Sequence, residues 1–157
     1  MSEYFGKEVP KLGFGLMRLP KMPGQPAEID VEEVKKMVDA FLKAGLTYFD
    51  TAYVYDGGKS EEAARAALVD RYPRERFTLA TKLNAGAAKD EASAKQQFYT
   101  SLERTGAGYF DYYLLHALQL SNAALYEKYH LWDDVRELKA KGLVKHWGFS
   151  FHATPEL

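Results

Sequence analysis

One pattern recurs along the chain: a short apolar run that closes on a polar or small residue, then an amphipathic helical stretch. The runs are "KLGFG" (Lys11–Gly15), "LTYFDT" (Leu46–Thr51), "FTLATK" (Phe77–Lys82), "DYYLLH" (Asp111–His116) and "LVKHWGFS" (Leu143–Ser150). Each has the length and residue types of a buried strand. Between them, Val31–Ala44 carries Val31, Val34, Val38, Phe41 and Leu42 at helical spacing. Asp30, with Glu33 three residues on, makes a capping-box-like start, and Gly45 makes a stop. Ser60–Val69, Ala92–Thr105 and Leu125–Lys141 read as further helices, with Gly106 and Gly142 at their ends.

Alternation of strand and helix implies a parallel sheet, in which every strand delivers its C-terminus to the same rim. The strand ends Gly15, Asp50, Lys82, His116 and Ser150 recur at intervals of roughly 34 residues. One polar residue at one strand end is ordinary, because strands end at the surface. Four chemically distinct groups at four consecutive ends match the way a (β/α) barrel assembles a catalytic site, each residue from its own strand. Tyr55 follows Asp50 by five residues in "YFDTAYVYDGGKSEE" (Tyr48–Glu62), on a loop from which its hydroxyl can lean over Lys82.

That set implies acid chemistry. A free phenol has a pKa near ~10 and gives up its proton reluctantly at neutral pH. An ammonium within hydrogen-bond reach stabilises the phenolate, and a carboxylate beside the lysine holds it charged and aligned. Lys82 and Asp50 fill those roles for Tyr55. His116 adds a donor toward an oxygen gaining negative charge, or a proton relay to Tyr55. Such a site suits a carbonyl that becomes an alkoxide and takes a proton. None of these residues donates a hydride, so a reductase built on them needs a nicotinamide cofactor.

Composition narrows the partners. Net charge is -1 with no basic stripe, which argues against nucleic acid. No apolar run is long enough to span a bilayer and no signal peptide opens the chain, so a cytoplasmic location is expected. The absence of cysteine excludes disulfides, thiolate metal sites and a cysteine nucleophile. His116, His146 and His152 lack paired-ligand spacing on a helix, so no metal is expected. Lys82 as a Schiff-base nucleophile leaves Tyr55 without a role. A carboxylate-pair glycosidase would need Asp50 with Glu61 or Asp111, but Glu61 reads as a helix-start residue and Asp111 opens its strand.

"YFDTAYVYDGGKSEE", "LATK", "DYYLLH" and "VKHWGFSFH" together resemble the aldo-keto reductases, in order and in spacing. "KLGFGLMRLP" is similar to that family's first strand and the loop that meets the nicotinamide. The resemblance implies an α/β fold of TIM-barrel type and reduction of aldehydes or ketones, small carbonyl substrates, by NADPH or less often NADH. It implies Tyr55 as general acid, Lys82 as its activator, Asp50 as the lysine's partner and His116 as the orienting donor. It places Gly15, Leu16, Met17, Asp50, Ser150 and Phe151 at the cofactor, with Ser150 on the nicotinamide carboxamide. Many members follow that serine with Asn. Here Phe151 and His152 follow, as in a branch with "GFSFH", some longer members of which carry a cysteine-rich iron–sulfur extension that a chain without Cys cannot form.

A closed barrel of this type needs eight strands and about 250 residues, whereas five strands are read in these 157 residues. The expectation is a single partial domain, residues 1–157, stopping as a fifth crossover helix begins at Thr154–Pro155. Its cofactor site is expected to be incomplete and the lone chain to have little activity. A catalytically inactive half-barrel with an assembly or regulatory role is the alternative. An open barrel bares its inner face, with Tyr48, Ala80, Leu114 and Gly148, and its edge strands, so a homo-oligomer closing that side is expected. "PKMPGQP" (Pro20–Pro26) reads as a plain connector, and residues 3–15 as an N-terminal hairpin turning at Gly6–Lys7.

Overall fold

The computed structural model describes residues 11–154. Among them, β1 (Gly13–Gly15), β4 (Tyr48–Asp50), β5 (Thr78–Leu83), β6 (Phe110–Leu118) and β7 (Val144–Phe151) form one sheet in the order β1-β4-β5-β6-β7. Every neighbouring pair in it is parallel. The crossovers are α1 (Val31–Lys43), α2 (Lys59–Ala64, running into a π turn at Arg65–Val69), α3 (Glu91–Thr105), and the pair α4 (Ala123–Lys128) and α5 (Leu131–Ala140). Strand ends therefore share one rim, as the alternation requires.

Local chemistry sets the helix limits. Asp30 accepts the Glu33 N–H at 3.0 Å and starts α1, whose Val34 and Val38 are fully buried. Asp90 and Ser93 cap α3 reciprocally, each accepting the other's backbone N–H, at 2.7 and 3.1 Å. Gly106, left-handed at φ 64, ends that helix by donating to the Leu102 carbonyl. The core lies between helices and sheet, where Phe49, Leu79, Phe98, Phe110, Tyr113 and Leu115 have no exposed surface. On the opposite, inner face, the rings of Tyr48, Tyr112 and His146 form a row with centroids 5.6 and 5.0 Å apart. Tyr48, Leu114 and Gly148 share that face, lining a cleft of about 590 Å³.

Three expectations need correction. Leu125–Lys141 is two helices, because the buried positions Tyr126, Tyr129, Leu131, Val135 and Leu138 slip phase between Tyr129 and Leu131. Left-handed His130, φ 51, resets it. Pro20–Pro26 is no plain connector: β2 (Lys21–Met22) and β3 (Gln25–Ile29) pair antiparallel around Gly24, φ 73. β6 continues past His116 through an irregularity between Leu115 and Leu118, where Ala117 adopts φ 55. The hairpin expected at Gly6–Lys7 lies outside the described residues. No helix among the described residues is long and apolar enough to cross a membrane.

Candidate active site

The rim is built from the strand ends inward. Asp50 closes β4, and its carbonyl accepts the Leu16 N–H at 2.8 Å, tying β1 to β4 just beyond their paired segment. Thr51 and Ser60, both fully buried, share a 2.7 Å hydrogen bond, and Ser60 donates to the Leu16 carbonyl at 2.9 Å. The loop then crosses to the neighbouring strand, with the Tyr53 N–H donating to the Lys82 carbonyl at 3.1 Å. A turn closed by Tyr55 N–H on the Ala52 carbonyl, 3.0 Å, brings the phenol over the rim.

Lys82 is 5% exposed, and its ammonium donates to Asp50 Oδ1 at 2.5 Å, the Thr51 carbonyl at 2.7 Å and Tyr55 OH at 3.2 Å. An ammonium has three donors and no acceptor, so all three are engaged and the phenol oxygen is an acceptor here. The Tyr55 proton is left for another acceptor. His116 stands edge-on to Tyr55, ring centroids 5.5 Å apart. Burial, with the Lys82 charge and the nearby His152 adding to it, pushes its pKa down from 6.5 to about 4. At neutral pH His116 is therefore a neutral imidazole. Its Nδ1 is buried without a hydrogen-bond partner. Below it, Tyr126 OH donates to the His116 carbonyl at 2.5 Å and fixes the strand end.

The structure thus brings Asp50, Tyr55, Lys82 and His116 together. It divides the other candidates. Gly15 lies at the end of β1 with open space around it, and Met17 is 57% exposed. Leu16 is entirely buried with its N–H and carbonyl both engaged, and so presents no side-chain surface. Ser150 Oγ accepts the Ala117 N–H at 2.7 Å, which leaves its hydroxyl proton to donate. Phe151 does not join it: strand alternation turns the ring to the helix side. There it packs beside Phe149, itself against Trp132, around an apolar pocket of about 520 Å³. Asp111 sits at the other end of β6, accepting from Arg74, Lys145 and the Leu79 N–H. Glu61 is fully buried and committed to Thr81 and Arg104. Neither carboxylate is available to pair with Asp50, and the engaged Lys82 is no free amine.

Two contributors escaped the sequence. The Thr51 carbonyl is a third acceptor for Lys82, and a backbone group leaves no signature in residue type. Glu61 was read as a helix-start residue, yet it falls three and seven residues before Ala64 and Leu68, both fully buried. That spacing places it on the inward stripe of the helix.

The family model "Aldo/keto reductase family" matches residues 11–157. The chain belongs to the aldo/keto reductase family. A probable aldo-keto reductase 1 of Glycine max is 31% identical over 159 aligned residues, covering 96% of this chain and 44% of its own length. A solved aldo-keto reductase of Bacillus halodurans, in holo form, has TM-score 0.71 and 28% identity, covering 91% of this chain and 46% of that one. Another from Klebsiella pneumoniae, in complex with NADPH, has TM-score 0.72 and 26% identity, covering 90% and 45%. This aldo/keto reductase chain therefore spans rather less than half the length of these relatives, and its five-stranded sheet corresponds to part of a TIM barrel.

Proposed function

We propose that this chain carries the acid–base centre of an oxidoreductase that reduces aldehydes or ketones to alcohols with NADPH or NADH. The carrying observation is Lys82 Nζ held between Asp50 Oδ1 and the Tyr55 hydroxyl, 2.5 and 3.2 Å away. Tyr55 gives its proton to the substrate oxygen as that oxygen becomes an alkoxide. Lys82 then faces a phenolate and stabilises it, while Asp50 and the Thr51 carbonyl keep the ammonium aligned. His116, neutral at working pH, donates a hydrogen bond that orients the carbonyl. General acid catalysis of this kind contributes ~10²–10⁴-fold.

A reduced nicotinamide, when bound, supplies the hydride. The residues present fit its carboxamide end. The Ser150 hydroxyl keeps a proton to donate after accepting from Ala117, and the space around Gly15 is open. Residues 1–157 act as one partial barrel domain in this proposal.

The test is NADPH oxidation with an aldehyde, run on a polypeptide that contains these residues in a closed barrel and on its Tyr55→Phe variant. The variant is expected to lose turnover while NADPH affinity, read by cofactor fluorescence, stays close to the parent's. Wild-type turnover in Tyr55→Phe would overturn the assignment.

A further inference from the structure

The loop that carries Tyr55 holds three consecutive left-handed residues: Asp56 at φ 53, Gly57 at φ 64 and Gly58 at φ 97. Glycine takes positive φ freely, but left-handed Asp56 carries a strain of its own. Something outside the loop has to brace it. Lys21, from the β2–β3 hairpin, pairs with Asp56 at the surface. The stronger brace comes from behind the sheet, from the last turn of α3.

There Arg104 Nη1 donates to the Tyr53 carbonyl at 3.0 Å and to Glu61 Oε2 at 3.2 Å. The guanidinium carbon lies 4.6 Å from the Tyr53 ring centroid. It also packs against Gly58 so closely that a Cβ there would stand 2.5 Å from it. Glu61, with no exposure, holds the guanidinium, and its other oxygen accepts from Thr81 at 2.7 Å. Thr81 precedes Lys82 in β5. The Tyr53 peptide is therefore pinned from both sides, its N–H on the Lys82 carbonyl and its carbonyl on Arg104. Two residues later the phenol meets the Lys82 ammonium.

We propose that Arg104 is a positioning residue, holding the Tyr55 phenol at its distance from Lys82 through the Tyr53 peptide and Gly58. It touches neither substrate nor cofactor. The catalytic meaning of this rests on Tyr55 being the acid proposed above; the geometry does not. A merely stabilising arginine would lower the melting temperature and leave the phenol–ammonium contact intact. A positioning arginine sets that contact.

The experiment reads the contact without turnover. The chain is labelled with tyrosine carrying ¹³C at Cζ, and the Tyr55 signal is assigned by its loss in Tyr55→Phe. Lys82→Met is then introduced into the parent and into Arg104→Met, as a double-mutant cycle on chemical shift. The expected result is that the Lys82→Met displacement of the Tyr55 signal falls to about half or less in the Arg104→Met background. An undiminished displacement overturns the proposal. If Arg104→Met does not fold, Arg104→Lys decides. Lysine reaches Tyr53 or Glu61 but does not bridge them, so a response below the parent's supports the proposal and an equal one overturns it. Failure of the Tyr55 assignment itself would show only in turnover by Tyr55→Phe, and so is read separately.

Discussion

Replacing His116 with glutamine turns its buried neutral ring into a measurable pH dependence. In the folded chain the imidazole is 8% exposed and its pKa is pushed down from 6.5 to about 4, by burial first and then by Lys82 and His152. The unfolded chain takes up this proton near 6.5, whereas the folded chain resists until about pH 4. Stability from this group is full above the unfolded value and falls with pH across the window between the two. At about 1.4 kcal/mol per pH unit, the loss amounts to about 3 kcal/mol. His116→Gln has no such proton to take. Urea unfolding of parent and variant between pH 7 and 4 should give curves that converge by about that amount as pH falls. Other titrating groups largely cancel in the difference. Proton NMR of the ring supplies the direct check, since the chain has only four histidines. Parallel stability curves, or a His116 ring titrating at its ordinary value, would refute a buried neutral imidazole.

Other perturbations reach different parts of the structure. Lys82→Met should cut carbonyl reduction by ~10²-fold or more in a closed barrel and cost about 2–3 kcal/mol in chemical denaturation, since it strands the buried Thr51 carbonyl and the part-exposed Asp50; unchanged stability would show the ammonium is not holding the loop. Gly58→Ala should cost at least ~2 kcal/mol, combining left-handed strain with the clash against Arg104. Gly45→Ala, φ 79 with nothing nearby, should cost only about 1 kcal/mol, and equal losses in calorimetry would count against the close approach. Burial pushes the Asp111 carboxyl up, but hydrogen bonds from Leu79, Lys145 and Arg74 outweigh that and hold it below its ordinary value. Its contribution is present above the unfolded carboxylate value and is lost as pH falls through the lower folded one, so Asp111→Asn should flatten the acid limb of the unfolding profile.

The rim was legible because it depends on strand periodicity and on where apolar runs stop, both written in residue type. Asp50 and Lys82 met as their order implied, since a parallel sheet leaves their side chains few places to go, and Tyr55 reaches them from the loop that follows β4. The same physics separates Phe151 from Ser150: adjacent in sequence, its ring faces the other side of the sheet. The break at His130 follows from two buried residues, Tyr129 and Leu131, spaced too closely for one helix stripe, a slip hidden inside an otherwise regular pattern. The β2–β3 hairpin was obscured by its prolines, which mark turns more strongly than such short strands announce themselves. Arg104 stayed hidden because a charged residue on a helix reads as solvent-facing until packing is known, whereas the spacing of Glu61 to Ala64 and Leu68 was a signal outweighed by its charge.

The register of the sheet has a consequence for how well-made copies of the chain can be recognised. Asp50 aligns with Ala80, Lys82 with Leu114, and Leu114 with Gly148. A one-residue slip at β5 would keep every ladder bond in kind and the helix content unchanged, yet turn Lys82 into the apolar layer behind the sheet. Circular dichroism would not notice. The lysine would: correctly paired, its amine is sequestered by three acceptors, and misassembled it must find water. Slow acylation of Lys82 relative to surface lysines is thus a fingerprint of faithful strand alignment, available in preparations where catalysis is never assayed.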